Sequence, residues 1–274
     1  MKESWSVRFL YQTIPGRMIL KLMVHPAISH LGGRVLSTKV SRHIVPYYIK
    51  KNHINLAGVI IPQGGFASFN DFFTRKRIEK MMDEDNSTMI SPCDAYLSAV
   101  RIDENTVFHV KNTDYKLADL LKNEELAKRY EGGYGLIFRL TPNHYHRYCY
   151  SVSGRLRKYR RISGILHCVR PVALATNPVF IQNTREYQVI SHKEYGHVIQ
   201  MEIGALMVGK IVNYKDSFVT GETVLGMEKG YFEFGGSTIM LVLEKQVPLR
   251  EDILSLMDLE EEISIKMGDN LLSV

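Results

Sequence analysis

A short segment near the end of the chain, Phe234-Gly235-Gly236-Ser237-Thr238, places two glycines before a serine where an apolar stretch begins. Such a pair most often forms only a tight turn or a bulge. The chemical alternative is self-cleavage, in which the serine hydroxyl attacks the preceding carbonyl, shifts the acyl group from nitrogen to oxygen, and the ester then eliminates. Gly236 suits the acyl position, because a residue without Cβ tolerates a strained backbone. Elimination would leave dehydroalanine at position 237, which tautomerises and hydrolyses with loss of ammonia to a pyruvoyl group, a ketone that acts as an electron sink.

Two histidines lie in the segment Thr141-Pro142-Asn143-His144-Tyr145-His146-Arg147-Tyr148-Cys149. If this segment is a strand, His144 and His146 point to the same face and line one site. The ordinary pKa of histidine suits proton transfer near neutral pH. The alternative is that one or both are structural histidines or a chance metal-binding pair.

An aspartate follows a turn-forming pair in Ser91-Pro92-Cys93-Asp94. An aspartate in this position is most often a turn residue. Its functional interpretation is that Asp94 orients a base histidine, as in an Asp-His-Ser arrangement. A fourth segment, Ile203 to Ile211, contains Gly204 and Gly209, which either let backbone approach a bound group or form strand bulges.

Taken together and in this order, these segments resemble the phosphatidylserine decarboxylase family over roughly residues 65–245. Any single match is weak, but six matches in register are specific. The matching segments are Phe66 to Arg75, Ser91 to Asp94, Pro142 to Arg147, Asn183 to Glu186, Ile203 to Gly209 and Gly230 to Thr238.

The resemblance implies a proenzyme that cuts itself between Gly236 and Ser237 into a β chain of residues 1–236 and an α chain of residues 237–274. Ser237 would become the covalent pyruvoyl group, with no metal required. The amino group of phosphatidylserine would form a Schiff base with it, lose CO₂ and leave as phosphatidylethanolamine. We expect the catalytic residues to be Ser237, His146, Asp94 and Gly236, and the substrate contacts to be His144, Tyr145, Gly204 and Ala205.

The chain departs from the family pattern at Cys149, where many members have a second histidine that is assigned, with the aspartate, to self-cleavage. Asp94 and Ser237 match the pattern, but the base for cleavage does not. We favour His146, with His144 as an additional candidate. Cys149 could serve only if its thiol were acidified.

The elements that must position these residues fall into two regions. Short helices broken by Pro15, Pro26 and Gly32-Gly33 are predicted over 5–50, and Ser68 with Asp71 forms a capping box that opens a helix through Lys76. The strands predicted after residue 88 are 96–102, 135–141, 145–152, 179–190, 197–204 and 237–244, with helices at 116–130 and after Arg250. Strands spaced this closely predict an α+β fold with a mainly antiparallel β core.

The formal charge of +6 is concentrated at the N-terminus, because residues 1–60 contain nine Lys or Arg and one acidic residue, a net of +8. Charges and prolines interrupt every stretch of ~20 residues that might span a bilayer. Basic residues among apolar ones predict a segment of residues 1–60 that docks on an anionic membrane, before a catalytic domain over 61–274. The alternative is that these helices pack on the protein's own core.

No recognised nucleic-acid-binding motif accompanies the positive charge, so nucleic acid is not an expected partner. Cys93, Cys149 and Cys168 are too few and too scattered for a disulfide framework, and no cleavable signal peptide precedes them. We therefore expect a peripheral protein on the cytoplasmic face of the cell membrane, made of its own α and β chains, with any higher homo-oligomer left open. Two other functions remain: a pyruvoyl decarboxylase of a different amine, and a non-catalytic membrane-associated relative.

Overall fold

A computed structural model describes residues 5–78, 88–110, 113–206, 210–234, 237–259 and 261–273. The helices of these ranges are α1 (Trp5–Gln12), α2 (Ile14–Met23), α3 (Pro26–Leu36), a 3₁₀ helix (Lys39–Ile44), α4 (Val45–Asn52), α5 (Phe69–Phe73), α6 (Leu117–Leu121), α7 (Glu124–Lys128), α8 (Pro171–Leu174), α9 (Val179–Gln182), α10 (Asp216–Thr220) and α11 (Glu251–Leu259). The strands are β1 (Ala95–Arg101), β2 (Val107–Val110), β3 (Thr113–Lys116), β4 (Tyr134–Leu140), β5 (Arg147–Cys149), β6 (Gly154–Ile162), β7 (Arg185–His192), β8 (Gly196–Ile203), β9 (Ile211–Asn213), β10 (Glu222–Thr223), β11 (Glu228–Phe232), β12 (Ser237–Leu243) and β13 (Ile263–Ile265).

An eight-stranded antiparallel sheet forms the centre of the fold, in the order β10-β6-β7-β8-β12-β4-β1-β13. Every residue of β12 is buried, because the strand lies between β4 and β8 and both of its faces are covered. Smaller sheets join β5-β11-β9 and β2-β3. The predicted α+β class with a mainly antiparallel core is confirmed.

The N-terminal helices begin where the prolines predict. Pro15 and Pro26 lie in the first turns of α2 and α3, where a missing backbone N–H leaves no helical hydrogen bond unmade. The prediction that Gly32-Gly33 breaks a helix is wrong, since α3 continues through both residues. Glycine lowers helix propensity but keeps its N–H, so it weakens a helix without ending it. Within the described ranges, no helix is long and apolar enough to cross a bilayer.

The predicted Ser68 N-cap at the start of α5 is present, but the Asp71 carboxylate bonds the residue before the cap, so the box is not the standard reciprocal one. Ser68 Oγ accepts a hydrogen bond from the backbone N–H of Asp71 at 3.1 Å, and the Asp71 carboxylate accepts one from Ala67 N–H at 2.8 Å. The helix is shorter than predicted and ends at Phe73. Its aromatic rings pack into a small apolar cluster together with Phe234, which precedes the glycine pair in sequence.

Three other predicted elements differ from the structure. Only Arg147–Cys149 of the predicted strand 145–152 is extended, and the stretch 179–190 begins with helix α9 before β7. The predicted helix 116–130 is two helices, because Lys122 adopts a left-handed conformation and Asn123 caps α7. The helix predicted after Arg250 is present as α11, and its buried Ile253 belongs to the main core.

Candidate active site

Ser237 is the first residue of β12 and lies in the middle of the large sheet. It is fully buried, and it pairs with Leu140 on β4. On the other side Thr238 pairs with Ile203, so the antiparallel register sets Gly204 beside Ser237. Among the residues that the structure describes, Ser237 Oγ has no hydrogen-bond partner. A buried hydroxyl of this kind costs free energy, which favours a chemical role over a structural one.

The two glycines before this serine were predicted to form the cleavage site with it. Gly235 and Gly236 lie outside the described residues. Ser237 itself fits the precursor of a pyruvoyl group, because its hydroxyl is buried and is not held by a described hydrogen bond.

Asp94 lies directly before β1 and is almost completely buried. Its Oδ2 is 2.7 Å from Arg77 Nη1, and its Oδ1 accepts a hydrogen bond from the backbone N–H of Met267 at 3.1 Å. The Arg77 guanidinium also lies over the ring of Tyr145, 4.2 Å from its centroid, and the backbone N–H of Arg77 donates to the Tyr145 hydroxyl at 3.2 Å. The Asp94 carboxylate is therefore held in place by the Arg77 guanidinium, which itself packs on the Tyr145 ring.

His144 stands near this carboxylate. Its Nδ1 accepts a hydrogen bond from the backbone N–H of Thr141 at 3.1 Å, and its ring centroid is 5.1 Å from that of Tyr96. Burial lowers the pKa of His144 to about 4, with Asp94 acting in the opposite direction and nearby cations adding to the decrease. The imidazole is accordingly neutral at pH 7, with its proton on Nε2.

His146 lies in a different environment and is fully buried. Its Nδ1 is 3.0 Å from the carbonyl oxygen of His144 and donates to it, because a carbonyl can only accept. In the neutral form this places the basic lone pair on Nε2. The centroid of the His146 ring lies 4.0 Å from that of Phe73, and the Phe73 ring also packs on Phe234, with centroids 5.2 Å apart. His146 is thus on the side of the site from which the chain approaches Ser237.

The prediction that His144 and His146 share one face of a strand is wrong. The segment from Pro142 to His146 is a turn and a loop, and β5 begins only at Arg147. A hydrogen bond from His144 N–H to Thr141 O at 2.9 Å closes the turn. Alternation therefore does not apply, and the two rings pack against different neighbours.

Cys149 is buried beneath the Ser91-Pro92 turn. Its Sγ is 3.6 Å from the carbonyl oxygen of Pro92, and its N–H donates to the same oxygen at 2.9 Å. Burial raises the pKa of the thiol to about 12. A thiol in this environment stays protonated, so nothing in its surroundings makes it a base.

Gly204 and Ala205 are both buried at the end of β8. Asn183 Nδ2 donates to the carbonyl oxygens of Gly204 at 2.7 Å and of His167 at 2.8 Å. The ring of His167 is in turn 3.2 Å from the hydroxyl of Tyr11 on α1. The loop beside Ser237 is thereby connected to the N-terminal helices.

The arrangement brings the predicted residues to one region of the sheet, but in two groups. Asp94, Tyr145 and His144 are connected through Arg77 and the turn, while His146 is on the Phe73 side. The chemistry available is proton transfer by a buried imidazole, in a site that also contains the buried Ser237 hydroxyl.

The sequence matches the family model described as phosphatidylserine decarboxylase over residues 69–273. The chain belongs to the phosphatidylserine decarboxylase family. A curated relative from Clostridium acetobutylicum, named phosphatidylserine decarboxylase proenzyme 2, is 39% identical and covers 98% of this chain and 92% of its own. Phosphatidylserine decarboxylase proenzymes of Ruminiclostridium cellulolyticum and Fusobacterium nucleatum are 38% and 34% identical, over 89% and 96% of this chain and 83% and 89% of theirs. The resemblance seen in six segments is confirmed.

Sequence reasoning about the phosphatidylserine decarboxylase motifs missed the part played by two arginines. Arg77 pairs with Asp94, and Arg75 is buried with its Nη2 3.4 Å from the carbonyl oxygen of His144. Burial lowers the pKa of Arg75 to about 10. Arg75 belongs to a matching segment, which gave a signal for its importance, whereas nothing local to Arg77 indicates that it pairs with Asp94.

Proposed function

We propose that this chain is a phosphatidylserine decarboxylase that matures by cutting itself between Gly236 and Ser237. The observation that carries the proposal is the buried Ser237 hydroxyl without a described hydrogen bond, in a chain whose relatives are named phosphatidylserine decarboxylase proenzymes. The products would be a β chain of residues 1–236 and an α chain of residues 237–274. A pyruvoyl group at position 237 would supply an electron-accepting carbonyl for the loss of CO₂.

His146 is the proposed base for self-cleavage. Its Nδ1 proton is committed to the His144 carbonyl, so Nε2 is the atom that would take the proton of the Ser237 hydroxyl. The same imidazole would hold a proton for later delivery to the substrate carbon. Burial excludes water, and exclusion of water strengthens the electrostatic interactions of a site.

Asp94 is proposed to have an orienting role in self-cleavage, which it would exert through its neighbours Arg77 and His144. His144 and Tyr145 would line the substrate side of this group, and the backbone of Gly204 and Ala205 would bound the site beside Ser237. These roles are supported by the burial of all five residues and by the β-sheet register.

Residues 1–60 are proposed to dock this enzyme on an anionic membrane, with residues 61–274 as the catalytic domain. On α2, Ile14, Met18 and Leu22 recur every four residues on one face and are 71%, 68% and 72% exposed. The exposed cations Arg17 and Lys21 lie on the same helix. An exposed apolar stripe next to cations is typical of a helix lying in a lipid interface.

The opposite faces of these helices are packed on the protein. Tyr11, Leu20 and Val24 are buried and join the main core. The sequence left two alternatives for these helices, docking on a membrane or packing on the protein's own core. We propose that both apply, with one face packed on the core and another facing lipid. The enzyme would then be peripheral, on the cytoplasmic face of the cell membrane.

Self-cleavage is tested by intact mass. Purified protein should yield a C-terminal fragment of 38 residues (237 to 274) with a blocked, ketone-bearing end. Ser237→Ala should remain a single chain, and only the cut protein should release CO₂ from carboxyl-labelled phosphatidylserine. An uncut wild-type chain would instead support a non-catalytic relative.

The substrate is tested by adding borohydride during turnover, which would fix the amine nitrogen of the substrate to residue 237. The added mass should correspond to a serine or ethanolamine phospholipid. If a soluble amino acid is trapped instead, the pyruvoyl proposal is supported but the proposal of a phospholipid substrate is refuted.

Membrane docking is tested with anionic and neutral vesicles at several salt concentrations. Replacing Arg17 and Lys21 together by Gln should weaken binding to anionic vesicles, by about 1 kcal/mol per cation at low salt. The matched control replaces Lys193 and Lys245, exposed cations of the catalytic domain, and should bind like the wild type. Equal binding to neutral and anionic vesicles would refute the electrostatic part.

A further inference from the structure

A cavity of about 960 Å³ lies between α3 and the chain that leads to Ser237. Residues of α3 form one wall, and Lys210, Glu233 and Phe234 form the other. Its volume is in the range of small-molecule sites in proteins. Phe234 is three residues before Ser237, so the two positions are at most about 10 Å apart along the chain.

The lining of this cavity is suited to an anion. Arg34 is exposed, and no carboxylate pairs with it among the described residues. Lys210 contributes a second cation and is 3.3 Å from Glu233, the acidic residue of the lining. His30 adds a third nitrogen group. Arginine is well suited to phosphate because its planar fork donates two hydrogen bonds at once.

A second, independent observation comes from Ser29. This residue lines the cavity and is fully buried, and its Oγ has no hydrogen-bond partner among the residues that the structure describes. A helical serine commonly donates to a carbonyl one turn earlier, which would satisfy it locally. An unsatisfied buried hydroxyl beside a cationic cavity is available as a donor to a ligand oxygen.

Hydrogen bonds and ring contacts connect the cavity to His146. Ser37 of the lining is 3.4 Å from Asn70 Nδ2, and Asn70 Oδ1 accepts a hydrogen bond from Phe234 N–H at 3.2 Å. Phe234 packs on Phe73, which packs on His146. A ligand here would contact the proposed membrane segment on one side and the approach to residue 237 on the other.

We propose that this cavity binds the phosphodiester of the substrate phospholipid, with Arg34 as the principal contact and Lys210 and Ser29 as further donors. The inference rests on the proposed function. In a serine phospholipid the phosphate is separated from the reacting amine by only a few bonds, so a phosphate site must lie close to residue 237. Phe234 in the cavity wall is at most about 10 Å along the chain from residue 237. The opposite wall, α3, belongs to the segment that is proposed to dock on the membrane.

The test uses the full, self-cleaved protein and a short-chain phosphatidylserine, dihexanoyl, kept monomeric so that membrane docking does not contribute. Arg34→Gln should raise KM by roughly tenfold while kcat stays near the wild-type value, since the bond lost is a partly exposed charge-assisted one. Lys193→Gln, which removes an exposed cation far along the chain, should leave KM unchanged.

A second variant narrows the cavity without removing charge. An added Cβ at Gly33 would meet nothing within 4 Å, so Gly33→Leu should be tolerated by the helix and should extend into the cavity. It should also raise KM. If both Arg34→Gln and Gly33→Leu cut themselves normally and keep the wild-type KM, the inference is wrong.

Two readouts separate the possible failures. Fragment formation is measured on every preparation, and a wild-type chain that stays uncut would overturn the proposed function instead of the phosphate site. Glycerophosphoserine should inhibit the wild type competitively and Arg34→Gln more weakly, and inorganic phosphate at the same concentration should inhibit neither. Equal inhibition by inorganic phosphate would overturn the assignment to the lipid.

Discussion

Replacing Arg77 by Met should slow self-cleavage by displacing Asp94. The Asp94 carboxylate is 3% exposed, and it has the Arg77 guanidinium at 2.7 Å and one backbone N–H as its partners. A charge-assisted hydrogen bond contributes about 1.5–3 kcal/mol. The Arg77 side chain is 31% exposed, so solvent screening reduces this to about 1–2 kcal/mol.

Two measurements follow from that magnitude. In the uncut Ser237→Ala background, Arg77→Met should lower Tm by several degrees, because about 1 kcal/mol corresponds to roughly 2–4 °C in a chain of this size. In the cleavable protein, fragment formation followed by mass should be slower by about tenfold, if the lost free energy appears in the transition state.

The matched control is Lys76→Gln, which removes the neighbouring cation. Lys76 is exposed, and no side-chain ion pair is found for it among the described residues. It should change neither Tm nor the cleavage rate. Arg77→Met cleaving at the wild-type rate with an unchanged Tm would refute the argument that Arg77 positions Asp94.

Three further outcomes are expected. His146→Ala should abolish or strongly slow fragment formation, whereas Cys149→Ala should leave it largely intact; a folded Cys149→Ala protein that stays uncut would overturn the choice of base. The pKa of His144 is about 4 in the folded protein and 6.5 in the unfolded chain, so the unfolded state takes up the proton first as the pH falls from 7 to 4. The free energy of unfolding, measured with urea, should therefore fall over this range, and the fall should be smaller in His144→Gln by up to about 3 kcal/mol. Lys229 and Glu202 form a fully buried ion pair, so Lys229→Met should cost about 3–5 kcal/mol and the added Glu202→Leu should recover much of it; additive losses would contradict this coupling.

The sequence was informative where a signal is local. The apolar runs at β4, β8 and β12 have the length and β-branched content of buried strands, and their predicted bounds agree with the structure to within one residue. Prolines at the starts of α2 and α3 and the Ser68 cap act through adjacent backbone, so their effects were also predicted correctly. The glycine pair before Ser237, taken with the other five segments, indicated the family.

Local signals failed where a turn interrupts a pattern. The histidine segment contains β-favouring residues, but Pro142 and Asn143 form a turn that the His144 ring stabilises by accepting from Thr141 N–H. That hydrogen bond depends on a side chain folding back on its own backbone, which alternation does not describe.

Tertiary structure alone decided how the site is assembled. Gly204 lies beside Ser237 because β8 and β12 pair in one register, and a register is set by packing of whole strands against a core. Arg77 reaches Asp94 across a stretch of chain that no local pattern connects. The phosphate cavity likewise needs α3 to face Phe234, two segments far apart in sequence. The sequence predicted which residues would carry the chemistry, and long-range packing determined their neighbours, because contact between distant segments depends on the folded core as a whole.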